Sequence, residues 1–187
     1  MLKLATILIA FLFLGSANAQ NVDIPLIVFQ IDETQVDLRK DARDGLLLFF
    51  TSSGCPFDDH YFTRLRDLNQ QFKGKVGFYF INASYEDTRE EILRQMKEWG
   101  NDIPYLIDQK NIISKALNVK RTTECILLKR NKTTLSIFYR GPVDDNPQVA
   151  SDADHEYLED AIKNLLEGRD SGTASARVAG CLIRDSY

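Results

Sequence analysis

Five consecutive apolar residues, Leu46-Leu47-Leu48-Phe49-Phe50, constrain this chain more than any other stretch, because they stop abruptly at a polar loop that leads to Cys55 and Pro56. So short a run is a strand, and a strand apolar at every position is buried on both faces. The sheet that holds it therefore needs cover on each side. Beyond Pro56 the apolar residues Phe62, Leu65, Leu68 and Phe72 recur at spacings of three and four, which is one face of a helix. Strand-like residues 76–81 follow. A second helix is predicted over 87–99, with Ile92, Met96 and Trp99 on one side and Gly100 placed to cap it.

Other elements extend the alternation. A first strand is predicted over 24–31, further strands over 103–107, 124–128 and 134–139, and a short helix over 109–117 with Asp108 as its N-cap. A last helix, about 154–167, stops at Gly168. Strands alternating with helices predict an α/β domain with a largely parallel sheet covered on both faces. The closing pair of strands, joined through Asn131-Lys132, adds an antiparallel edge, so the central sheet is mixed.

The two ends of the chain read differently from this middle. Lys3, the apolar run 4–14 and Ala17-Asn18-Ala19 have the three parts of a secretory signal over residues 1–19. Eleven apolar residues are too few to span a bilayer, so the mature protein is expected to be periplasmic or secreted and free of the membrane. Residues 20–167 form the predicted domain. Residues 168–187, small and polar at first, make a tail predicted to be flexible that carries Cys181. Removing Lys3 and no acid takes the formal charge from -4 to -5, which argues against nucleic acid as a partner.

A domain of this size buries a core unaided, so its three cysteines are not needed as a scaffold, and chemistry becomes their expected use. Cys55 stands where the buried strand hands over to a helix, with Pro56 as the first helical residue, so the thiol is expected at the helix N-cap. Unpaired N–H groups and the positive dipole end favour thiolate there. Asp58 and Asp59 oppose this if they approach the sulfur. Cys125 opens an apolar strand and is expected to be a buried free thiol. Cys55, Asp58, Asp59 and His60 also imitate a metal cluster. Asn82-Ala83-Ser84 and Asn131-Lys132-Thr133 match the glycosylation acceptor pattern.

Four stretches, taken in order on this strand and helix pattern, resemble a known family: Gly54-Cys55-Pro56, Arg121-Thr122-Thr123-Glu124, 139–145 and Gly180-Cys181-Leu182-Ile183. They are similar to exported redoxin-domain proteins of the alkyl hydroperoxide reductase and thiol-specific antioxidant type, within the thioredoxin-like superfamily. The resemblance implies a thioredoxin-like fold and a thiol-based oxidoreductase, with Cys55 as the attacking thiolate and Cys181 as its resolving partner. Reach permits that pairing, since the thirteen residues 168–180 extend to roughly 45 Å. Arg121 is then expected to steady the thiolate and Glu124 to relay a proton, while Ser52, Pro56, Thr122 and Thr123 line the substrate position. The implied substrate is a peroxide or a disulfide and the implied reductant an external, thioredoxin-like thiol. Sulfur alone carries the chemistry, so neither a cofactor nor a metal is called for.

The sequence also departs from its relatives. A thioredoxin has cysteine where Asp58 stands and a cis-proline where Thr123 stands. A permanently closed Cys55 to Cys181 disulfide, in a binding module or in a copper carrier similar in fold to the redoxin-fold copper chaperones, is the competing reading.

Overall fold

A computed structural model describes residues 21–22, 26–172 and 177–184. The signal expected over 1–19 lies outside the described residues. Among the described residues seven strands and four helices follow one another as β1 (Ile27–Phe29), β2 (Gln35–Asp37), β3 (Gly45–Thr51), α1 (Asp58–Gln71), β4 (Val76–Asn82), α2 (Arg89–Trp99), β5 (Tyr105–Ile107), α3 (Ile112–Ala116), β6 (Cys125–Asn131), β7 (Thr134–Gly141) and α4 (Tyr157–Glu167). The strands form one sheet in the order β2-β1-β5-β4-β3-β6-β7, with the apolar run of β3 buried at every position near its centre.

Successive side chains of a strand point to opposite faces, and the core divides accordingly. Leu47, Phe49, Phe78, Phe80 and Leu127 pack on one face with Leu65 and Leu68 of α1, Ile92 and Trp99 of α2, and Leu158, Ile162 and Leu165 of α4. Leu46, Leu48, Phe50, Ile81, Ile126 and Leu128 pack on the other with Leu26, Leu38, Ile113 and Leu117. Both faces of β3 are thus dry, as its composition requires. Among the described residues no helix is long and apolar enough to cross a membrane.

The sheet is less parallel than the alternation predicts. Among the described strands only β3 with β4 and β4 with β5 run parallel; β6 lies antiparallel to β3, and β1 is antiparallel to both β2 and β5. After α3 the segment 117–124 delivers the chain to the C-terminal end of β3, where Thr123 N–H donates to the Phe50 carbonyl at 2.7 Å, so β6 must run back along β3. That routing brings residues 121–124 to the end of the sheet where Cys55 lies.

Local corrections have local causes. The helix predicted over 109–117 is broken by left-handed backbone at Lys110 and Asn111, leaving a 3-10 turn before α3. Asp108 still caps α3, accepting from the N–H groups of Ile113 and Ser114. Helix α2 starts at Arg89, because Thr88 and Glu91 form a reciprocal capping box and Asp87 is bonded elsewhere. Asn82, the first glycosylation match, is buried in β4 and has no access to a modifying enzyme in the folded chain.

Candidate functional site

Cys55 and Cys181, 126 residues apart in sequence, are joined by a disulfide with their Cα atoms 5.8 Å apart. Cys55 is not the N-cap of α1. The helix begins at Asp58, and Cys55 heads a tight turn in front of it, closed by the Asp58 N–H donating to the Cys55 carbonyl at 3.2 Å. Pro56 has no N–H to give, and Cys55 N–H itself donates back to the Ser52 carbonyl at 3.4 Å. The dipole end of α1 therefore lies one turn beyond the sulfur.

Asp58 does not turn toward water either. Its side chain is fully buried, and Oδ2 accepts from the Thr51 hydroxyl at 2.6 Å and from the Ser52 N–H at 2.8 Å. Oδ1 is buried without a well-formed hydrogen bond. Burial raises this carboxyl from its usual 3.8 to about 7, against the pull of the Thr51 and Ser52 donors and with the Thr122 hydroxyl nearby. Asp59, by contrast, is exposed and accepts from the Trp99 indole N–H at 3.1 Å. His60 is exposed as well, so the would-be metal cluster is dispersed around the first turn of α1.

Thr122 is the hub. Its hydroxyl donates to Cys55 Sγ at 3.0 Å and accepts from the Cys181 N–H at 3.0 Å. Thr123 next to it holds a left-handed backbone, φ 62°, a strained conformation for a β-branched residue. Two bonds hold it there: the one to Phe50 and the hydroxyl's bond to the Ala179 carbonyl at 2.6 Å. The tail is docked along this segment. Thr122 N–H donates to the Cys181 carbonyl at 2.9 Å, Ile183 N–H to the Lys120 carbonyl at 3.0 Å, and Arg121 pairs with Leu182 as an antiparallel bridge. A Cβ on Gly180 would run into the Thr122 carbonyl, so the approach requires glycine. Composition alone suggested a flexible tail; these contacts give residues 179–183 a defined seat.

Two charged residues singled out from the sequence serve other partners. Arg121 is exposed and donates to the Gly180 carbonyl at 2.8 Å, because the bridge to Leu182 directs it to the tail and leaves Thr122 at the sulfur. Glu124 is buried and pairs with Arg140 across the hairpin at 3.1 Å, with burial raising its carboxyl. Ser52 supports Asp58 through its N–H and accepts from Gln95 at 3.3 Å, while Pro56 is exposed. Cys125 is free and fully buried, and burial pushes its thiol well up.

A polar network that the sequence pattern did not signal holds the loop in front of Cys55. Asp87 accepts from the Ser53 N–H and from Asn82 Nδ2 at 2.7 Å. Asn82 also donates to the Tyr105 hydroxyl at 2.9 Å, and that hydroxyl donates to Gln95 at 2.6 Å. A cavity of about 350 Å³ opens beside the disulfide, lined in part by Ser52, Gly54, Asp87, Thr122, Cys181 and Leu182.

A sequence model described as Redoxin matches residues 19–168. Among curated proteins none matches the sequence. A hypothetical protein from Sinorhizobium meliloti superimposes with a TM-score of 0.76 at 25% identity, over 92% of this chain and 97% of its own. An uncharacterized conserved protein from Geobacillus kaustophilus gives 0.78 at 26%, over 92% and 94%. A secreted disulfide oxidoreductase of Mycobacterium tuberculosis shares the fold at 14% identity, with a TM-score of 0.52 over 76% of this chain and 94% of its own.

Proposed function

The chain belongs to the Redoxin family, whose shared chemistry is thiol-based oxidation and reduction, and on that premise we propose that it is a thiol-disulfide oxidoreductase cycling Cys55 and Cys181 between dithiol and disulfide. The observation that carries the reading is the pair itself. Two cysteines 126 residues apart meet on the Thr122 hydroxyl, next to a buried carboxyl that titrates near neutrality. A permanent staple has no use for such a carboxyl. A reversible couple does, because closing the bond sends two electrons to a substrate disulfide and releases two protons, and opening it takes both back.

Asp58 is suited to hold one of those protons. Protonated below about 7 and ionised above it, the carboxyl exchanges a proton at the pH where the couple works. Thr122 carries it the last step, since its hydroxyl touches Cys55 Sγ. Peroxide reduction by a Cys55 thiolate is the second reading, and the same Thr122 contact favours it; Arg121, engaged with the tail, does not. The test is to reduce the folded protein and offer it oxidised glutathione or hydrogen peroxide. Disulfide re-formation with glutathione release is expected. A bond that dithiothreitol cannot open in the folded protein would overturn the proposal, and consumption of peroxide alone would move it to the second reading.

We place the protein in the periplasm or outside the cell, on the strength of Lys3, the apolar run 4–14 and Ala17-Asn18-Ala19. Mature protein recovered from that fraction is expected to begin at Gln20.

A further inference from the structure

The two cysteines of the disulfide differ in exposure. Cys55 is only 3% exposed, enclosed between the turn in front of α1 and the docked tail. Cys181 is half-buried and forms part of the wall of the 350 Å³ cavity, which Cys55 does not line. The rim of that cavity carries apolar surface an incoming partner can cover: Tyr85 is 44% and Leu182 67% exposed. Disulfide exchange requires a thiolate to reach one sulfur while the other departs, and its rate depends on access to the first and on how well the second carries negative charge.

We infer that external thiols exchange with this protein at Cys181, on the tail, and that Cys55 is the sulfur that leaves and later closes the bond. This rests on the proposed reversible couple and reverses the roles the family resemblance implies.

In the reducing direction an external thiolate entering the cavity bonds to Cys181 Sγ. The Cys181 to Cys55 bond breaks, and its electron pair leaves on Cys55. That charge is received by the Thr122 hydroxyl, already on Cys55 Sγ at 3.0 Å, and is neutralised by the proton of Asp58. A second thiol of the same reductant then attacks its own sulfur in the mixed disulfide and frees Cys181. In the oxidising direction the steps reverse: Cys181 thiolate attacks a substrate disulfide and expels one substrate thiolate, after which Cys55 attacks Cys181 Sγ and expels the other.

The geometry also explains the docked tail. The mixed disulfide is built on a segment held by backbone bonds to Lys120 and Thr122 and by the bonds of Thr123 and Arg121 to Ala179 and Gly180, so Cys181 stays within reach of Cys55 while it carries the substrate.

The wild-type oxidised protein suffices for the test. It is mixed with excess glutathione at neutral pH, quenched with acid at early times, alkylated and digested with trypsin, which isolates Cys181 in the peptide 178–184. Glutathione is expected on Cys181, with the alkylating agent on Cys55, in an excess of at least about tenfold over the reverse arrangement. Glutathione found mainly on Cys55, or equally on both, overturns the inference and leaves the reversible couple standing. A disulfide opened by neither glutathione nor dithiothreitol in the folded chain overturns both.

Discussion

Replacing Asp58 by Asn tests the physical core of the site without changing its shape. The carboxyl has an ordinary value of 3.8 and stands at about 7 in the folded protein, so the folded state holds a proton that the unfolded chain releases. A group raised in this way contributes its stability fully below 3.8 and loses it as pH rises toward 7, with no further change above. Three units at 1.36 kcal/mol each make the loss about 4 kcal/mol. An asparagine side chain has no charge to bury. Its carbonyl can accept from Thr51 and Ser52 as Asp58 Oδ2 does, but its amide N–H group replaces an Oδ1 that has no well-formed partner, at a cost of about 1–3 kcal/mol. The oxidised Asp58→Asn variant is therefore expected to be less stable than the wild type near pH 4 and more stable near pH 8.5. The difference between the two should swing by about 4 kcal/mol across that range, whatever the amide costs. Urea unfolding of both oxidised proteins at several pH values measures the swing directly. A difference constant to within about 1 kcal/mol would refute the claim that burial holds a proton on Asp58.

Four further outcomes are expected. Alkylation of Cys55 at about pH 8.5 in a Cys181→Ser chain should become faster when Asp58→Asn is added, because the buried carboxylate opposes a second negative charge at Thr122; an unchanged rate would disconnect the two groups. Gly180→Ala should drive a methyl into the Thr122 carbonyl and unseat the tail, seen as faster opening of the disulfide by dithiothreitol, and equal rates would mean that the close approach does not matter. Reducing the bond, which closes a loop of 126 residues, should lower stability by up to about 5 kcal/mol in denaturant unfolding, with a negligible loss counting against the entropic account. Cys125→Val approximately conserves volume in a fully buried position and should cost under ~1.5 kcal/mol while leaving disulfide turnover unchanged; lost turnover would make Cys125 a redox participant.

The sequence by itself determined the elements whose signal is periodic and local. The apolar run of β3, the face Phe62, Leu65 and Leu68 of α1, and Trp99 followed by Gly100 at the end of α2 were legible because burial on one or two faces leaves a pattern within a few residues. Strand β2 left none: in Gln35-Val36-Asp37 only one residue is apolar, and its partner is β1 alone at the sheet edge. Cys125 was legible as core for the same reason as its strand. The mixed direction of the sheet was not, since it depends on where the segment after α3 meets β3.

The site belongs mostly to the tertiary structure. The turn at Cys55 and the motif around Thr122 could be found in the chain, but the pairing with Cys181 was implied only by family resemblance. No local pattern marks which residues 126 positions apart will meet. Asp58 and Asp59 are neighbours of the same chemistry at the start of one helix, yet one is sealed beneath Thr51 and Ser52 and the other meets the Trp99 indole at the surface. Arg121 is drawn to the tail and the contact with the sulfur falls to Thr122, because the tail pairs with the backbone at these two residues. A carboxyl's charge state and a cysteine's exposure are set by what the rest of the chain places around them, and that environment comes from strand order, helix docking and the path of the tail. Sequence determines which groups are available for chemistry; only the packed fold decides which of them are dried, paired or left open to a partner.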